Sequence, residues 1–306
     1  MKVALLQGGR SLERGVSIRS GLRVTEALLD LGHEVDVLDL GPDLVGQLEK
    51  NRPDVAFIAL HGTEGEDGTV QSLLELLDIP HTGPRVAACK RCMDKSLAKY
   101  ILRENGLPTP DWVTYSEAAI RDFGAASTFG AAVERVGLPL VAKPCSQGSS
   151  LGVKVVTELE QIPNALITAL SYDDRALLET WVSGRELAVS VLGGEALPVV
   201  EAIPTKSNSY DFEARYEIGG ASFECPADLG EAETAEVERV ALAAYEALGC
   251  SGFSRVDLIL AEDGPQVLEI NAIPGLTETS LLPQAAEAAG LDFNAMVQKI
   301  LDLAMA

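Results

Sequence analysis

Two stretches of alternating apolar and polar residues on either side of an acidic turn predict an antiparallel hairpin. The stretches are residues 255–261 and 265–271, and Glu262-Asp263-Gly264 lies between them. Alternation is typical of strands with one buried face, and glycine at the third turn position suits a three-residue loop that ends in a left-handed conformation. This segment restricts the fold strongly, because pairing fixes which residues face each other across the two strands.

The register of the hairpin separates polar from apolar side chains, since strands have a period of two. If Ala261 pairs with Pro265, two opposed polar pairs share one face: Asp257 with Glu269, and Arg255 with Asn271. The other face is apolar and is formed by Val256, Leu258, Leu260, Leu268 and Ile270.

The opposed carboxylates of Asp257 and Glu269 indicate that a cation binds between them. Carboxylates directly opposite each other, roughly 5 Å apart at Cβ, repel unless a positive charge lies between them. A hard divalent cation such as Mg2+ prefers carboxylate and amide oxygens and would resolve this conflict. A solvated sheet face, on which the charges point to water, is the alternative that the hairpin alone leaves open.

The first third of the chain alternates short apolar strands with amphipathic helices, which predicts a βαβαβ unit and a parallel sheet. The predicted strands are 3–6, 35–38 and 55–60, and the predicted helices are 21–31 and 45–49. Further predicted elements are helices at 95–105, 129–136 and 231–248 and strands at 138–142 and 153–156. The expected fold class is therefore α/β, with domains at 1–85, 86–178 and 179–306.

Composition excludes several classes of function. The 306-residue chain is 47% hydrophobic, which suffices for a substantial core, and its formal net charge is -22. Such an acidic chain disfavours nucleic acids and anionic membranes as partners, because both require clustered Lys and Arg. No apolar run reaches the roughly 18 residues of a membrane helix, and the five cysteines form no disulfide framework. We therefore expect a cytoplasmic protein with reduced thiols.

Two glycine-containing loops at predicted strand ends indicate ligand contacts. Gly8-Gly9-Arg10-Ser11 and Glu13 follow the first strand, and open α/β sheets bind ligands at such carboxyl ends. His61 begins the loop 61–68, whose glycines let the backbone bend closely around a ligand. Neither loop is a Gly-x-Gly-x-x-Gly or P-loop motif, so dinucleotide-binding and P-loop kinase folds are not supported. A structural turn is the alternative for the first loop.

Two lysines are candidates for binding a polyphosphate. Lys143 ends a predicted strand before a Gly/Ser loop at 145–152, and Lys95 ends the segment 93–95. A lysine beside loop amides and hydroxyls binds phosphates through a point charge and hydrogen bonds. A strand that ends at 177–182 offers backbone groups for an adenine, and an ordinary domain linker is the alternative there.

Six segments, in order along essentially the whole chain, resemble the ATP-grasp D-alanine:D-alanine ligases of cell-wall synthesis. They are Gly8-Gly9-x-Ser11-x-Glu13-Arg14-x-Val16-Ser17, His61-Gly62-x-x-Gly65-Glu66-Asp67-Gly68, Met93-Asp94-Lys95, Lys143-Pro144-x-x-x-Gly148-Ser149-Ser150, Tyr210-Asp211-Phe212-Glu213-Ala214-Arg215-Tyr216, and Glu269-Ile270-Asn271-x-x-Pro274-Gly275-Leu276-Thr277 with Ser280-Leu281. The resemblance implies an ATP-grasp fold, in which an N-terminal parallel α/β domain precedes two α+β domains that clasp ATP. It also implies a lid at 205–216.

By that resemblance, the enzyme joins two D-alanine molecules through a D-alanyl phosphate, uses ATP and Mg2+, and releases ADP and phosphate. The implied ligands of two Mg2+ ions are Asp257, Glu269 and Asn271. Mn2+ is an alternative ion, and a monovalent cation is compatible with the family. The implied ATP contacts are Lys95, Lys143, Glu179, Val182, Glu186 and Arg215. The implied catalytic residues are Glu13, Ser149, Tyr216, Arg255 and Gly275, and the implied substrate contacts are His61, Ser280 and Leu281.

Three positions depart from the family pattern. Gly15 replaces a usual Glu, Thr180 replaces a common Lys, and Arg215 replaces the usual Lys of the lid while keeping its charge. The alternatives to the main function are a related ligase that makes D-alanyl-D-serine or D-alanyl-D-lactate, and a nucleotide-binding protein without activity. Tyr216 disfavours the lactate form, because family members that make the ester tend to lack it. A homodimer is usual in the family.

Overall fold

The computed structural model describes residues 1–204 and 221–306. A parallel sheet at the N-terminus has the strand order β2-β1-β3, formed by β1 (Lys2–Gln7), β2 (Glu34–Asp39) and β3 (Val55–Ile58). Helices α1 (Arg14–Asp30) and α2 (Leu44–Lys50) connect these strands, and α3 (Thr69–Leu76) follows them. The predicted βαβαβ unit is confirmed.

The second sheet is antiparallel and has the order β4-β7-β5-β6. Its strands are β4 (Trp112–Ser116), β5 (Leu140–Pro144), β6 (Lys154–Val156) and β7 (Arg175–Thr180). The helices of this region are α4 (Val86–Met93), α5 (Lys95–Glu104), α6 (Glu117–Phe123), α7 (Phe129–Val136) and α8 (Ile162–Leu170). Buried residues of β5 and α8, among them Leu140 and Leu166, form a separate hydrophobic cluster beneath this sheet.

The third sheet contains the predicted hairpin in its strand order β11-β10-β8-β12-β13, and β9 pairs with β8. Its strands are β8 (Arg185–Leu192), β9 (Glu195–Ala196), β10 (Val200–Pro204), β11 (Ala221–Glu224), β12 (Phe253–Ala261) and β13 (Gly264–Asn271). Helices α9 (Glu231–Ala247), α10 (Leu281–Ala288) and α11 (Phe293–Met305) complete the chain. One hydrophobic cluster joins the first and third sheets, so the second sheet is the one that packs separately.

The hairpin turn differs from the prediction. Ala261 pairs with Gly264 rather than Pro265, so the loop has two residues, and Gly264 has a φ of 117°. A β-bulge beside Asp257 then restores the predicted pairing of this residue with Glu269.

The bulge also corrects the predicted position of Leu268. The extra residue shifts the alternation of β13, so Val267 is buried in the core while Leu268 lines the cleft beside Ile259. The placement of Leu268 on the core face was therefore wrong.

The boundaries of the three domains remain a prediction. The division placed between residues 178 and 179 falls inside β7 (Arg175–Thr180), the strand that completes the second sheet. The predicted lid at 205–216 lies outside the described residues. Within residues 1–204 and 221–306, no helix has the length and apolar character needed to span a membrane.

Candidate active site

A cleft of about 530 Å³ lies between the second and third sheets. The second sheet contributes Lys143 and Glu179, and the hairpin contributes Asp257 and Glu269. Apolar side chains line another part of the cleft: Val141, Val153, Ile259 and Leu268. The volume and the mixture of apolar walls with a few charged groups are typical of a small-molecule site.

The hairpin face carries the four polar residues in the predicted register. Asp257 lies opposite Glu269, and Arg255 lies opposite Asn271. The Arg255 guanidinium donates to both oxygens of Asp257 at 2.6 and 2.8 Å, and the Asn271 amide donates to Asp257 Oδ2 at 2.8 Å. Such a bidentate contact fixes the guanidinium plane beside the carboxylate.

Lys95 contacts the second carboxylate of the hairpin. Its Nζ lies 2.9 Å from Glu269 Oε2 and donates to the carbonyl of Gln147 at 2.7 Å. Asp94, the N-cap of α5, accepts from the Leu97 amide, which fixes the start of the helix that carries Lys95. The structure therefore brings Lys95 from α5 and Glu269 from β13 together in one cleft.

The donor set of Asp257, Glu269 and Asn271 fits a hard divalent cation. Carboxylate and amide oxygens are the ligands that Mg2+ prefers, and the two carboxylates face each other across the strands. Within the described residues, no group of three His, Cys, Asp or Glu side chains is arranged to hold a metal ion, and the set here consists of two carboxylates and one amide. The neighbouring Lys95 and Arg255 balance the carboxylates and hold them in place.

Glu179 lies between two lysines, one of which the sequence motifs did not include. Lys143 Nζ donates to Glu179 Oε1 at 2.6 Å, and Lys99 Nζ lies 2.5 Å from Glu179 Oε2. Burial alone would raise the pKa of Glu179, but Lys143 and then Lys99 outweigh it and lower this pKa. The Glu179 side chain is therefore an anion held by protein cations, while the strand end around it lines the cleft with Val182 and Glu186.

Glu13 and Ser149 form a buried polar contact next to the cleft. The Ser149 hydroxyl donates to Glu13 Oε1, although one residue lies beside α1 and the other after β5. Gly62 and Gly148 permit this approach, because a Cβ on either would lie 2.6 or 2.9 Å from Glu13 Oε2. Tyr216, the third predicted member of this group, and Arg215 both lie outside the described residues.

His61 is buried, and both of its ring nitrogens contact protein groups. Nε2 lies 2.9 Å from Ser20 Oγ, and Nδ1 lies 3.1 Å from the carbonyl of Ile273. Burial lowers the pKa of His61 to about 4, so the ring is neutral near pH 7. Ser20 Oγ also accepts from the Leu276 amide at 3.2 Å. The observed contacts of His61 thus position the loop that contains Gly275.

Gly275, Ser280 and Leu281 lie together where that loop meets α10. Ser280 Oγ accepts from the Thr277 amide at 3.0 Å, and a Cβ on Gly275 would lie 2.7 Å from this hydroxyl oxygen. Leu281 is the first residue of α10. Glycine at 275 thus permits the observed position of the Ser280 hydroxyl, and the predicted oxyanion and carboxylate contacts are neighbours in space.

Glu66 is a site carboxyl that the motif contains but to which the sequence assigned no role. Its Oε1 accepts from the Gly62 amide at 2.9 Å, and it lines a small pocket with Lys95 and Glu269. Burial, followed by the charge of Glu13, raises the pKa of Glu66 to about 8. The sequence signal that could have identified Glu66 as a site residue is its place in a loop rich in glycine and acidic residues. The burial of Glu66 is visible only in the structure.

This raised pKa predicts that stability falls as pH rises from the ordinary pKa of a glutamate to about 8. The folded state holds the Glu66 proton more tightly than the unfolded chain, so the contribution is present at low pH and is lost as pH rises through about 8. We expect the free energy of unfolding to fall by about 1 kcal/mol more in the native chain than in Glu66→Gln between about pH 7 and pH 9. Urea unfolding across this range measures the difference. An equal difference for Glu49→Gln, an exposed carboxyl on α2, would contradict the prediction.

Gly15 and Thr180, which depart from the family pattern, cause no steric conflict in the structure. A Cβ on Gly15 would meet no atom within 4 Å, so the missing carboxyl leaves open space in the first turn of α1. The Thr180 hydroxyl donates to the carbonyl of Val136 at 2.8 Å and therefore points toward α7. Neither residue displaces the lysines or carboxylates of the cleft.

A cleft between two antiparallel sheets, with lysines on one side and opposed carboxylates on the other, defines an ATP-grasp enzyme. Residues 44–84 match the family described as D-ala D-ala ligase N-terminus, and residues 101–302 match D-ala D-ala ligase C-terminus. The chain belongs to the D-alanine–D-alanine ligase family.

This chain matches known D-alanine–D-alanine ligases in sequence and in structure over almost their whole lengths. The D-alanine--D-alanine ligase of Moorella thermoacetica is 42% identical, with 100% of this chain and 99% of that protein covered. The D-alanine--D-alanine ligase of Syntrophotalea carbinolica is 41% identical, with 98% of this chain and 95% of that protein covered. The Bacillus anthracis ligase complexed with ATP has a TM-score of 0.85 at 32% identity, with 100% and 97% covered. The Coxiella burnetii ligase has a TM-score of 0.83 at 29% identity, with 100% and 94% covered.

Proposed function

We propose that this chain catalyses the ATP-dependent joining of two D-alanine molecules to D-alanyl-D-alanine, a precursor of peptidoglycan. Membership of the ligase family supports the reaction. The observation that carries it is the presence, in one cleft, of two lysines, Lys95 and Lys143, and two opposed carboxylates, Asp257 and Glu269. This arrangement suits the transfer of a phosphoryl group, whose catalysis consists largely of positioning and charge stabilisation.

The reaction has two steps. A carboxylate oxygen of the first D-alanine attacks the γ-phosphorus of ATP, the bond to the β-phosphate oxygen breaks, and D-alanyl phosphate and ADP result. The amine of the second D-alanine then attacks the acyl carbon, the bond to the phosphate oxygen breaks, and inorganic phosphate leaves with the electron pair. The acyl phosphate is sensitive to water, which makes a closed cleft necessary.

The nucleotide occupies the cleft between the sheets in this proposal. Lys95 and Lys143 bind phosphate oxygens, and Arg215 adds a cation from the predicted lid. Glu179, Val182 and Glu186 provide the adenine and ribose contacts, with the apolar walls of the cleft around the base. The Glu179 carboxylate already contacts Lys143 and Lys99. Glu179 therefore contacts adenine through its backbone rather than through its carboxylate in this proposal.

Mg2+ is held by Asp257, Glu269 and Asn271 in this proposal, at two sites, with Mn2+ as an alternative ion and a monovalent cation as a further addition. When bound, the ion neutralises charge on the transferring phosphoryl group. The assignment is supported by the two opposed carboxylates and the Asn271 amide, because their oxygens are the ligands that Mg2+ prefers.

The two D-alanine molecules bind between the first and third sheets in this proposal. Glu13 binds the ammonium of the first substrate, and Ser149 and Tyr216 close the site around it. Arg255 and the Gly275 amide stabilise the oxyanion that develops at the acyl carbon. Ser280 and Leu281 bind the carboxylate of the second substrate, and His61 supports their loop through Ile273.

Glu13→Gln is expected to weaken binding of the first D-alanine. A neutral amide loses the ion pair with the ammonium, so KM for the first D-alanine rises about 10- to 100-fold, the range of a charge-assisted contact. Initial rates at varied D-alanine and saturating ATP measure the two KM values. The control is Glu26→Gln, an exposed glutamate on the same α1 helix, and an equal rise there would contradict the assignment.

The proposed function is tested with ATP, Mg2+ and a panel of D- and L-amino acids and D-lactate. Phosphate release and the mass of the product are measured together. Phosphate release that does not depend on D-alanine would overturn the proposal, and a mixed product with D-serine or D-lactate would favour the related ligases instead.

We further propose that the protein is a homodimer, which family membership supports. We also propose that it lies in the cytoplasm, which is supported by its five cysteines, all of them free thiols.

A further inference from the structure

Lys99 is a fully buried lysine that has no place in the sequence motifs. It lies in the middle of α5, one turn after Lys95, and its side chain is 0% exposed. Its Nζ donates to Thr109 Oγ1 at 2.7 Å and to the Pro110 carbonyl at 3.0 Å. Burial lowers the pKa of Lys99 to about 8, so the group is cationic near neutral pH. A buried ammonium is costly unless it is paired, and its charged partner here is Glu179.

The three side chains Lys99, Glu179 and Lys143 form a line from the interior to the cleft. Lys99 Nζ contacts Oε2 of the carboxylate at 2.5 Å, and Lys143 Nζ contacts Oε1 at 2.6 Å. Lys143 lines the cleft, whereas Lys99 does not. Two ammonium groups and one carboxylate leave a net charge of +1, and removal of Lys99 would leave zero.

We propose that Lys99 is a positioning residue for the nucleotide: it neutralises Glu179 from the interior, so that Lys143 keeps its positive charge for the phosphates. The inference rests on the proposed function, in which Lys143 binds ATP. Without Lys99, the buried carboxylate has Lys143 as its remaining cation, and each phosphate oxygen then competes with Glu179 for the same ammonium. With Lys99 present, Glu179 orients Lys143 without cancelling it.

A purely structural role for Lys99 makes a different prediction. Its contacts to Thr109 and Pro110 join α5 to the connector before β4, and Thr109 Oγ1 donates to the Val267 carbonyl of β13 at 2.8 Å. If Lys99 only maintained these contacts, its loss would affect all cleft ligands alike. A charge effect is instead confined to ligands that carry phosphate.

Lys99→Met removes the charge and keeps an unbranched side chain. We expect it to weaken MgATP binding about tenfold, the value of a charge-assisted contact, and to leave adenosine binding unchanged. Isothermal titration with MgATP and with adenosine, both without D-alanine, measures the two affinities. Unchanged MgATP binding, or an equal loss for both ligands, would overturn the proposal.

The double variant Lys99→Met with Glu179→Gln supplies the decisive comparison. It removes both charges of the Lys99–Glu179 pair and leaves Lys143, which lines the cleft, so we expect the chain to fold even if Lys99→Met alone does not. Its cleft carries the native net charge through Lys143, so we expect the double variant to regain most of the MgATP affinity that Lys99→Met loses. A loss of about tenfold or more in the folded double variant overturns the proposal.

The matched control is Arg103→Met, one turn further along α5. Arg103 pairs with Asp111 and stacks over the Trp112 ring at 4.3 Å, but it is exposed and has no contact with Glu179. We expect its MgATP affinity to stay within about threefold of the native value. A loss equal to that of Lys99→Met would show that charge position does not matter and would overturn the proposal.

The two proposals fail in distinguishable ways. Nucleotide binding is measured without D-alanine, and phosphate release by the native chain is measured with it. Native turnover that depends on D-alanine, with unaltered MgATP binding by Lys99→Met, refutes the role of Lys99 alone. Phosphate release independent of D-alanine, with the expected effect on MgATP binding, refutes the ligase activity alone.

Discussion

Glu269→Gln is expected to abolish turnover and to leave the fold intact. The amide has the shape of the carboxylate and still offers an oxygen, but it lacks the negative charge, so both the proposed ion and Lys95, 2.9 Å away, lose an anionic partner. Because charge neutralisation is the main contribution to phosphoryl transfer, we expect kcat to fall by at least about 10³-fold.

D-alanine-dependent phosphate release measures the effect, and circular dichroism with thermal unfolding checks the fold. Glu262→Gln is the matched control, because Glu262 is an exposed carboxyl in the turn of the same hairpin. It should retain native activity within about threefold. Near-native activity of Glu269→Gln would remove Glu269 from the metal site.

The sequence predicted the hairpin face correctly through two errors that cancel. The expected three-residue loop is a two-residue loop, and the bulge beside Asp257 adds the missing residue. Strand β12 pairs with β8 without a shift from Phe253 to Leu260, so the extra residue lies in β13, which ends the order of this sheet in the described chain. The alternation of apolar and polar residues in the hairpin does not show that β12 pairs regularly with β8 and that the bulge lies in β13. For this reason the sequence placed Leu268 on the wrong face.

Residues whose role depends on burial were beyond the sequence patterns. A lysine in mid-helix is ordinarily exposed, and only the packing of α5 against Thr109 and Glu179 buries Lys99. Glu66 belongs to a recognised motif, but its pKa is raised by burial and then by Glu13, which lies 53 positions away in the chain. By contrast, α7 has the predicted bounds of 129–136, because periodicity and its following glycine are local signals.

Arg255→Lys is expected to slow the second chemical step much more than the first. Lysine keeps the positive charge but has no planar fork, so it loses the bidentate contact to Asp257 that fixes the guanidinium plane. Loss of an oxyanion donor costs about 10²- to 10³-fold in rate, and we expect this reduction in dipeptide formation. The first step does not need this oxyanion contact, so formation of the acyl phosphate should be reduced far less.

Positional isotope exchange in ¹⁸O-labelled ATP with D-alanine reports the first step, and product mass reports the second. The control is Arg185→Lys on β8, since Arg185 makes a similar bidentate contact to Glu201, at 2.9 and 2.5 Å, and does not line the cleft. It should leave both steps unchanged. If Arg255 serves only to hold Asp257 in place for the metal, Arg255→Lys slows isotope exchange and dipeptide formation by the same factor. That outcome would assign Arg255 to the metal site and leave the Gly275 amide as the proposed oxyanion donor.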